Sequence, residues 1–137
     1  MSIPRLKAKQ IKQLSGLNVE TVYLFGSRAQ GKSGPFSDHD YAVLLKENGH
    51  FRGDELYFQL YDIFSEISKR ELRNDVIDIV FLRDAGLELA FHVIRYGKII
   101  FEKEVKTRLY FETITTLKYC DYRPILDEFD NAILEAI

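Results

Sequence analysis

Three short runs of aliphatic, aromatic and β-branched residues constrain the fold of this chain more than any other feature. They cover residues 19–25, 40–45 and 76–82. Residues of these types favour strands. The second run is mostly apolar and the third is apolar on both faces except at one position, as in buried strands. Elsewhere, apolar residues recur at helical spacing. Strands that alternate with helices predict an α/β (α+β) fold, in which helices pack against a central sheet.

The remaining elements follow from the helical stripes and from residues that end helices. Pro4 is typical of a first helical turn, and Gly16 and Gly97 are typical of helix ends. Pro124 is expected to break the C-terminal part into two helices. The predicted elements are helices at 4–16, 54–69, 87–97, 104–119 and 124–136, with a short fourth strand at 98–101.

Length and charge limit the classes of function. A chain of 137 residues fits one domain, 1–137, and its 46% hydrophobic and 29% charged residues are typical of a globular protein. The formal net charge of −2 gives no overall electrostatic attraction to nucleic acid, so direct nucleic-acid binding is not expected. The single cysteine, Cys120, excludes an intramolecular disulfide and a multi-cysteine zinc site, and is expected to be buried or half-buried. Without a long apolar run, no membrane segment is predicted, and the expected location is cytoplasmic.

Carboxylates interrupt two of the predicted strands. Asp78 lies in the otherwise apolar third strand, where an unpaired carboxylate is costly to bury. Asp38 and Asp40 open the second strand and, being two residues apart, project to the same face. Two like charges on one face repel each other unless a cation lies between them, and Mg²⁺ prefers oxygen ligands. Taken alone, Asp78 also fits an ordinary ion pair, and the other two fit a turn or a helix cap.

A glycine–serine pair follows directly on the first strand. Gly26 lets the backbone approach a ligand closely, and Ser27 adds a hydroxyl group. If a helical turn begins there, its free N–H groups suit a phosphate. Most Gly-Ser pairs are simple turns, so the pair gains its meaning from its position before the aspartates.

Ten residues separate Ser27 from Asp38, so the chain contains G-S-x10-D-x-D, followed by Asp78 in the next strand. This arrangement resembles the nucleotidyltransferase superfamily that includes DNA polymerase β. The small size and the run G-S-R-A-Q-G at 26–31 are most similar to the minimal nucleotidyltransferases of prokaryotes, the antitoxin halves of HEPN–MNT toxin–antitoxin pairs. The segment Tyr119-Cys120-Asp121-Tyr122 is also similar to antitoxin-type members.

The resemblance implies a nucleotidyltransferase fold with a mixed sheet of about four strands, and transfer of AMP from ATP to a hydroxyl group. It implies that Asp38, Asp40 and Asp78 are catalytic residues and ligands of two Mg²⁺ ions, which clamp the attacking and leaving oxygens. Arg83, after the third strand, is a candidate for contacting phosphate charge, with no position in the site assigned to it. The residues implied to bind the nucleotide phosphates are Gly26, Ser27 and, as a candidate that also fits a surface ion pair, Arg28.

Chain length adds a prediction about the acceptor. Only 55 residues follow residue 82, too few for an ordinary acceptor domain, so the acceptor is expected to be a partner. The resemblance implies that this partner is a HEPN ribonuclease toxin, which is neutralised by AMP on a tyrosine. Residues 104–137 are the expected docking part, with Tyr110, Tyr119 and Tyr122 as either interface or core residues. Two alternatives stay open: a non-catalytic module that masks the toxin, and a nucleotidyltransferase acting on a small molecule or RNA.

Overall fold

The computed structural model describes residues 4–26, 39–68 and 77–136. Within these ranges, helices and strands alternate as the sequence predicts, and the bounds of the first strand agree with the prediction. A short 3-10 turn at Leu82–Asp84 follows the third strand. The elements are α1 (Ala8–Gly16), β1 (Val19–Phe25), β2 (His39–Leu45), α2 (Glu55–Ile67), β3 (Ile77–Phe81), α3 (Leu87–Tyr96), β4 (Lys98–Glu102) and α4 (Val105–Ala136).

The four strands form one mixed sheet in the order β3-β2-β1-β4. Strand β1 is antiparallel to both β2 and β4, whereas β2 and β3 are parallel. A parallel pair needs a crossover connection, and α2 lies in the segment that supplies it. The predicted mixed sheet of about four strands is therefore confirmed.

Helices cover both faces of the sheet. Helices α1 and α2 pack on one face, where the ring of Tyr41 stacks on Phe64 with centroids 4.3 Å apart. Helices α3 and α4 pack on the other face, through Ala90, Val93 and Phe111. Burial on both faces explains why β1 is continuously apolar over residues 22–25 and β2 over residues 41–45.

A polar cluster fastens the first turns of α4 to the sheet. The hydroxyl of Tyr23, in β1, donates to Glu112 at 2.7 Å. Arg108 pairs with Glu112 at 3.2 Å and also with Glu102 at the end of β4. Burial of Tyr23 and its bond to Glu112 raise the pKa of this tyrosine far above its ordinary value. We call these four residues the Tyr23 cluster.

Helix α1 begins later than the sequence predicts. Its first residue is Ala8, and residues 4–7 are not helical, so the predicted start at Pro4 is wrong. The side chain of Gln10 accepts the backbone N–H of Lys7 at 2.8 Å, and this capping contact sets the start of the helix. The predicted end at Gly16 is confirmed.

The C-terminal part is a single helix, so the predicted break at Pro124 is wrong. Helix α4 runs from Val105 to Ala136 with Pro124 in its interior. Proline removes the helical hydrogen bond to the carbonyl of Cys120, but this residue is exposed, so water can reach the carbonyl that loses its partner. Arg123 also bonds to Tyr119 and Asp127, which lie before and after the proline. Cys120, on the same stretch, is exposed rather than buried.

In the part of the chain that the structure covers, no helix is both long enough and apolar enough to cross a membrane.

Candidate functional site

One edge of the sheet brings three of the predicted site residues together. Because β1 is antiparallel to β2, the end of β1 meets the start of β2, and Phe25 pairs with Asp40. Asp40 in turn pairs with Asp78 across the parallel β2–β3 ladder. Gly26 directly follows Phe25. We call Gly26, Asp40 and Asp78 the acidic edge.

Asp40 and Asp78 project to the same face of the sheet. Residues in direct register on adjacent parallel strands lie on one side, with the strands about 4.8 Å apart. Two residues further along, Ala42 and Val80 belong to the core beneath α3 and α4, which identifies that face. This is the placement that the sequence predicts for the two carboxylates. Their roles in catalysis remain predictions.

The backbone conformation at position 26 and the nearby Asp40 side chain both require a glycine there. Its φ of +78° lies in the left-handed region that favours glycine. A Cβ atom at this position would lie 2.4 Å from Oδ2 of Asp40, far inside van der Waals contact. The backbone at the end of β1 therefore lies so close to the Asp40 carboxylate that only a glycine fits at this position.

The other predicted site residues, Ser27, Arg28 and Asp38, lie outside the described residues, so their positions stay predictions. Within the described ranges, no group of three His, Cys, Asp or Glu side chains is arranged to hold a metal ion. Asp40 and Asp78 are nevertheless a suitable donor pair for Mg²⁺, which takes carboxylate oxygens and completes its shell with water or phosphate.

Sequence analysis missed Arg52, a residue that the structure places at the acidic edge. Its Nη1 lies 3.3 Å from Oδ1 of Asp78, with the arginine side chain 71% exposed and the aspartate 34%. The ordinary ion pair considered for Asp78 is therefore present. Because Arg52 comes from a turn between β2 and α2, no spacing in the sequence links it to the motif.

The segment 46–54, which carries Arg52, is fastened by two aspartates. The carboxylate of Asp84 accepts the N–H of Gly49 at 3.0 Å and that of His50 at 3.3 Å. Asp54 bonds to the His50 ring at 2.9 Å and caps α2 by accepting the N–H of Tyr57 at 2.8 Å. Burial opposes ionisation of Asp54, but its bonds to Tyr57 and His50 lower its pKa overall. We call residues 46–54 the clamped loop.

Arg83 does not lie at the acidic edge. Its Nε donates to the carbonyl of Leu45 at 2.5 Å, and its guanidinium lies over the ring of Phe111. Leu45 ends β2 and Arg83 follows β3. Both strands begin at the acidic edge, so these two residues lie at the opposite edge of the sheet. The suggestion that Arg83 contacts phosphate is therefore wrong, and its role is to join the sheet to α4.

The three C-terminal tyrosines differ in exposure. Tyr119 is half-buried and stacks on Phe91 of α3, with ring centroids 3.9 Å apart. Tyr110 and Tyr122 are 72% and 41% exposed. Tyr119 thus packs within the chain, whereas Tyr110 leaves most of its surface available and Tyr122 less than half.

Comparison with known proteins places this geometry in a family. The family described as "Polymerase beta, Nucleotidyltransferase" matches residues 8–106. The protein adenylyltransferase MntA of Aphanizomenon flos-aquae (strain 2012/KM1/D3) is 37% identical over 89 residues, which cover 62% of this chain and 58% of that protein. The chain therefore matches less than two thirds of the length of this relative.

Solved structures give the same result. A chain of a toxin–antitoxin crystal structure with AMP-PNP superposes with a TM-score of 0.63 at 26% identity, over 90% of this chain and 98% of that one. A chain from the complex of tri-AMPylated Shewanella oneidensis HEPN toxin with MNT antitoxin gives a TM-score of 0.57 at 24% identity, over 88% and 92%, and this likeness shows the fold alone. The match over 8–106 includes β1, β2 and β3 with the whole acidic edge, and the chain accordingly belongs to the polymerase beta nucleotidyltransferase family.

Proposed function

We propose that this chain is an antitoxin-type protein adenylyltransferase, which transfers AMP from ATP to a tyrosine hydroxyl of a HEPN ribonuclease toxin and thereby neutralises it. The observation that carries the proposal is the register of Asp40 with Asp78 beside the Gly26 bend. The relatives support the reaction class, because one is a protein adenylyltransferase and another is a toxin–antitoxin pair with an ATP analogue. Phosphate charge placed near an RNA-binding site would repel RNA.

The proposed roles combine the described positions of Gly26, Asp40 and Asp78 with the roles that the family resemblance implies for Ser27, Arg28 and Asp38. Asp40, Asp78 and Asp38 would hold the Mg²⁺ ions, which neutralise the charge that develops on the transferred phosphoryl group. Gly26 leaves room for the triphosphate to approach the backbone, and Ser27 would donate its hydroxyl to a phosphate oxygen, with Arg28 as a further contact. Asp78 lies on β3, the outer strand of the described sheet, and the acceptor hydroxyl would enter from that side.

We further propose that 1–137 is one nucleotidyltransferase domain and that its C-terminal part, 104–137, docks the toxin. Beyond the Tyr23 cluster, α4 leaves large apolar side chains exposed, which is unusual for a helix that packs only within its own chain. A helical partner in the cytoplasm would cover them. The exposed residues of this stretch are Leu117, Tyr122, Ile125, Phe129, Ile133 and Leu134.

Incubation of the purified chain with the HEPN-type partner, ATP and Mg²⁺ tests the reaction. Intact-mass measurement of the partner is expected to show the addition of AMP. Asp78→Asn should lower the rate of transfer at least ~10²-fold, because it removes a charged ligand from the site. Asp62→Asn is the matched control, since Asp62 is an exposed residue of α2.

Two outcomes would contradict the proposal. Transfer at the wild-type rate by Asp78→Asn would remove this residue from the chemistry. A stable complex that shows no transfer by the wild-type chain, but in which the toxin is still inhibited, would favour the non-catalytic masking module.

A further inference from the structure

Among the residues that the structure describes, a cationic side chain lies in contact with Asp78. The guanidinium of Arg52 lies 3.3 Å from Oδ1 of Asp78, one of the two carboxylates at the acidic edge. Asp40 is the register partner of Asp78, so two negative charges lie side by side there. Like charges that are directly adjacent on a sheet repel each other. The positive charge of Arg52 reduces this repulsion.

Hydrogen bonds to two aspartates fix the backbone of the clamped loop, which carries Arg52. Asp84 binds the N–H groups of Gly49 and His50, and Asp54 binds the His50 ring and caps α2. The clamped loop therefore presents the arginine to Asp78 from a defined position. Its side chain, by contrast, is 71% exposed, so it can leave the carboxylate without opening the core.

We propose that Arg52 is a placeholder for the divalent cation at Asp78, and that it competes with this cation in the nucleotide-free protein. The inference rests on the proposed function, in which Asp78 is a metal ligand. A guanidinium and a divalent cation repel each other, so both cannot occupy the same carboxylate oxygen at contact distance. Arg52 thus offsets the charge of Asp78 at the acidic edge until a metal–nucleotide complex displaces it.

Arg52 is a positioning residue in this scheme, because it acts through Asp78. Competition of this kind predicts that removal of the positive charge increases the affinity of the free protein for the cation. An exposed ion pair of this type changes a binding constant by about two- to fivefold. A residue that only supported the fold would leave the affinity unchanged or lower it.

The experiment measures binding of Mn²⁺ to the full chain by electron paramagnetic resonance, without nucleotide. Arg52→Gln is expected to bind Mn²⁺ about two- to fivefold more tightly than the wild type. Arg52→Lys keeps the charge and is expected to restore most of the wild-type affinity. Lys46→Gln is the matched control, because it removes one positive charge from an exposed residue just after the far end of β2. It should bind like the wild type.

Asp78→Asn separates the failure of this inference from the failure of the proposed function. If Asp78→Asn weakens Mn²⁺ binding but Arg52→Gln leaves it unchanged or weakens it, the placeholder role is overturned and the metal role of Asp78 stands. Equal tightening by Lys46→Gln, or an Arg52→Lys variant that behaves like Arg52→Gln, also overturns it. Unchanged binding in Asp78→Asn overturns the proposed metal role itself.

Discussion

The Tyr23 cluster and the acidic edge both contain carboxylates that pair with an arginine, but the two arginines are held in different ways. In the Tyr23 cluster, Arg108 lies between Glu102 and Glu112 and is only 18% exposed. At the acidic edge, the cation at Asp78 is a 71% exposed arginine from a loop. The first arrangement is closed and serves the stability of the fold. The second can exchange its cation, which suits a site that binds a metal–nucleotide complex.

The difference has an energetic reason. A half-buried group whose hydrogen bonds are all made within the protein becomes costly when one partner is removed, because the remaining group is left unsatisfied. An exposed ion pair contributes little to stability, because water replaces the lost partner. We therefore expect substitutions in the Tyr23 cluster to lower the free energy of unfolding, and substitutions at the acidic edge to lower activity instead.

Gly26→Ala should have the largest effect and should act on activity. The added Cβ would lie 2.4 Å from Oδ2 of Asp40, so the carboxylate must move from its position. We expect transfer of AMP to fall by at least ~100-fold, together with a loss of about 1–2 kcal/mol in stability from the left-handed backbone.

Gly49→Ala is the matched control for this substitution. Gly49 has a φ of +97°, and nothing lies within 4 Å of its added Cβ. It should therefore show the same backbone cost but retain activity. If both variants keep full activity, the close approach of Gly26 to Asp40 is not needed for the reaction.

Tyr23→Phe should have the next largest effect and should act on stability. It removes the hydroxyl that donates to the Glu112 carboxylate at 2.7 Å. Hydrogen bonds to charged groups contribute about 1.5–3 kcal/mol, and we expect a loss of this size in urea unfolding, with activity unchanged. Tyr110→Phe is the control, because Tyr110 is an exposed tyrosine of α4, the helix that carries Glu112. Loss of activity in a folded Tyr23→Phe variant would contradict the separation of the two clusters.

The pH dependence of stability gives a smaller test of the same cluster. Burial and the bond to Glu112 raise the pKa of Tyr23 in the folded protein above its unfolded value of about 10. Above that pH the unfolded chain loses this proton while the folded chain keeps it, so stability falls as pH rises. Below it the contribution of Tyr23 is fully present. The difference in unfolding free energy between wild type and Tyr23→Phe should shrink above pH ~10, and a constant difference would contradict the assignment.

Asp54→Ala should have the smallest effect and tests the clamped loop. Loss of an N-cap typically costs about 1 kcal/mol, which thermal unfolding can measure against Asp62→Ala in the same helix. The lowered pKa of Asp54 means that its contribution is present at neutral pH and is lost as pH falls through the folded value. A destabilisation that persists unchanged in strong acid would show that the carboxylate is not the cap.

The strands and most helix ends were predictable because their signals are local. The β-branched and aromatic run 19–25 predicts β1 with the bounds that the structure shows, and Gly16 marks the end of α1. The break predicted at Pro124 was wrong because the effect of a proline on a helix depends on whether water reaches the carbonyl that it leaves free, and this depends on exposure. The burial predicted for Cys120 was wrong for a related reason, since the exposure of a residue depends on its place in the fold and not on its type alone.

The sequence by itself determined the composition of the acidic edge, since Gly26 follows the predicted first strand and Asp40 and Asp78 lie in the next two, which their own residues favour. Only the tertiary structure decided that Asp40 and Asp78 stand in register and that Arg52 reaches Asp78. The physical reason is that strand order and ion pairing depend on how the two faces of the sheet are buried. That burial joins residues far apart in the chain, and no local spacing records it.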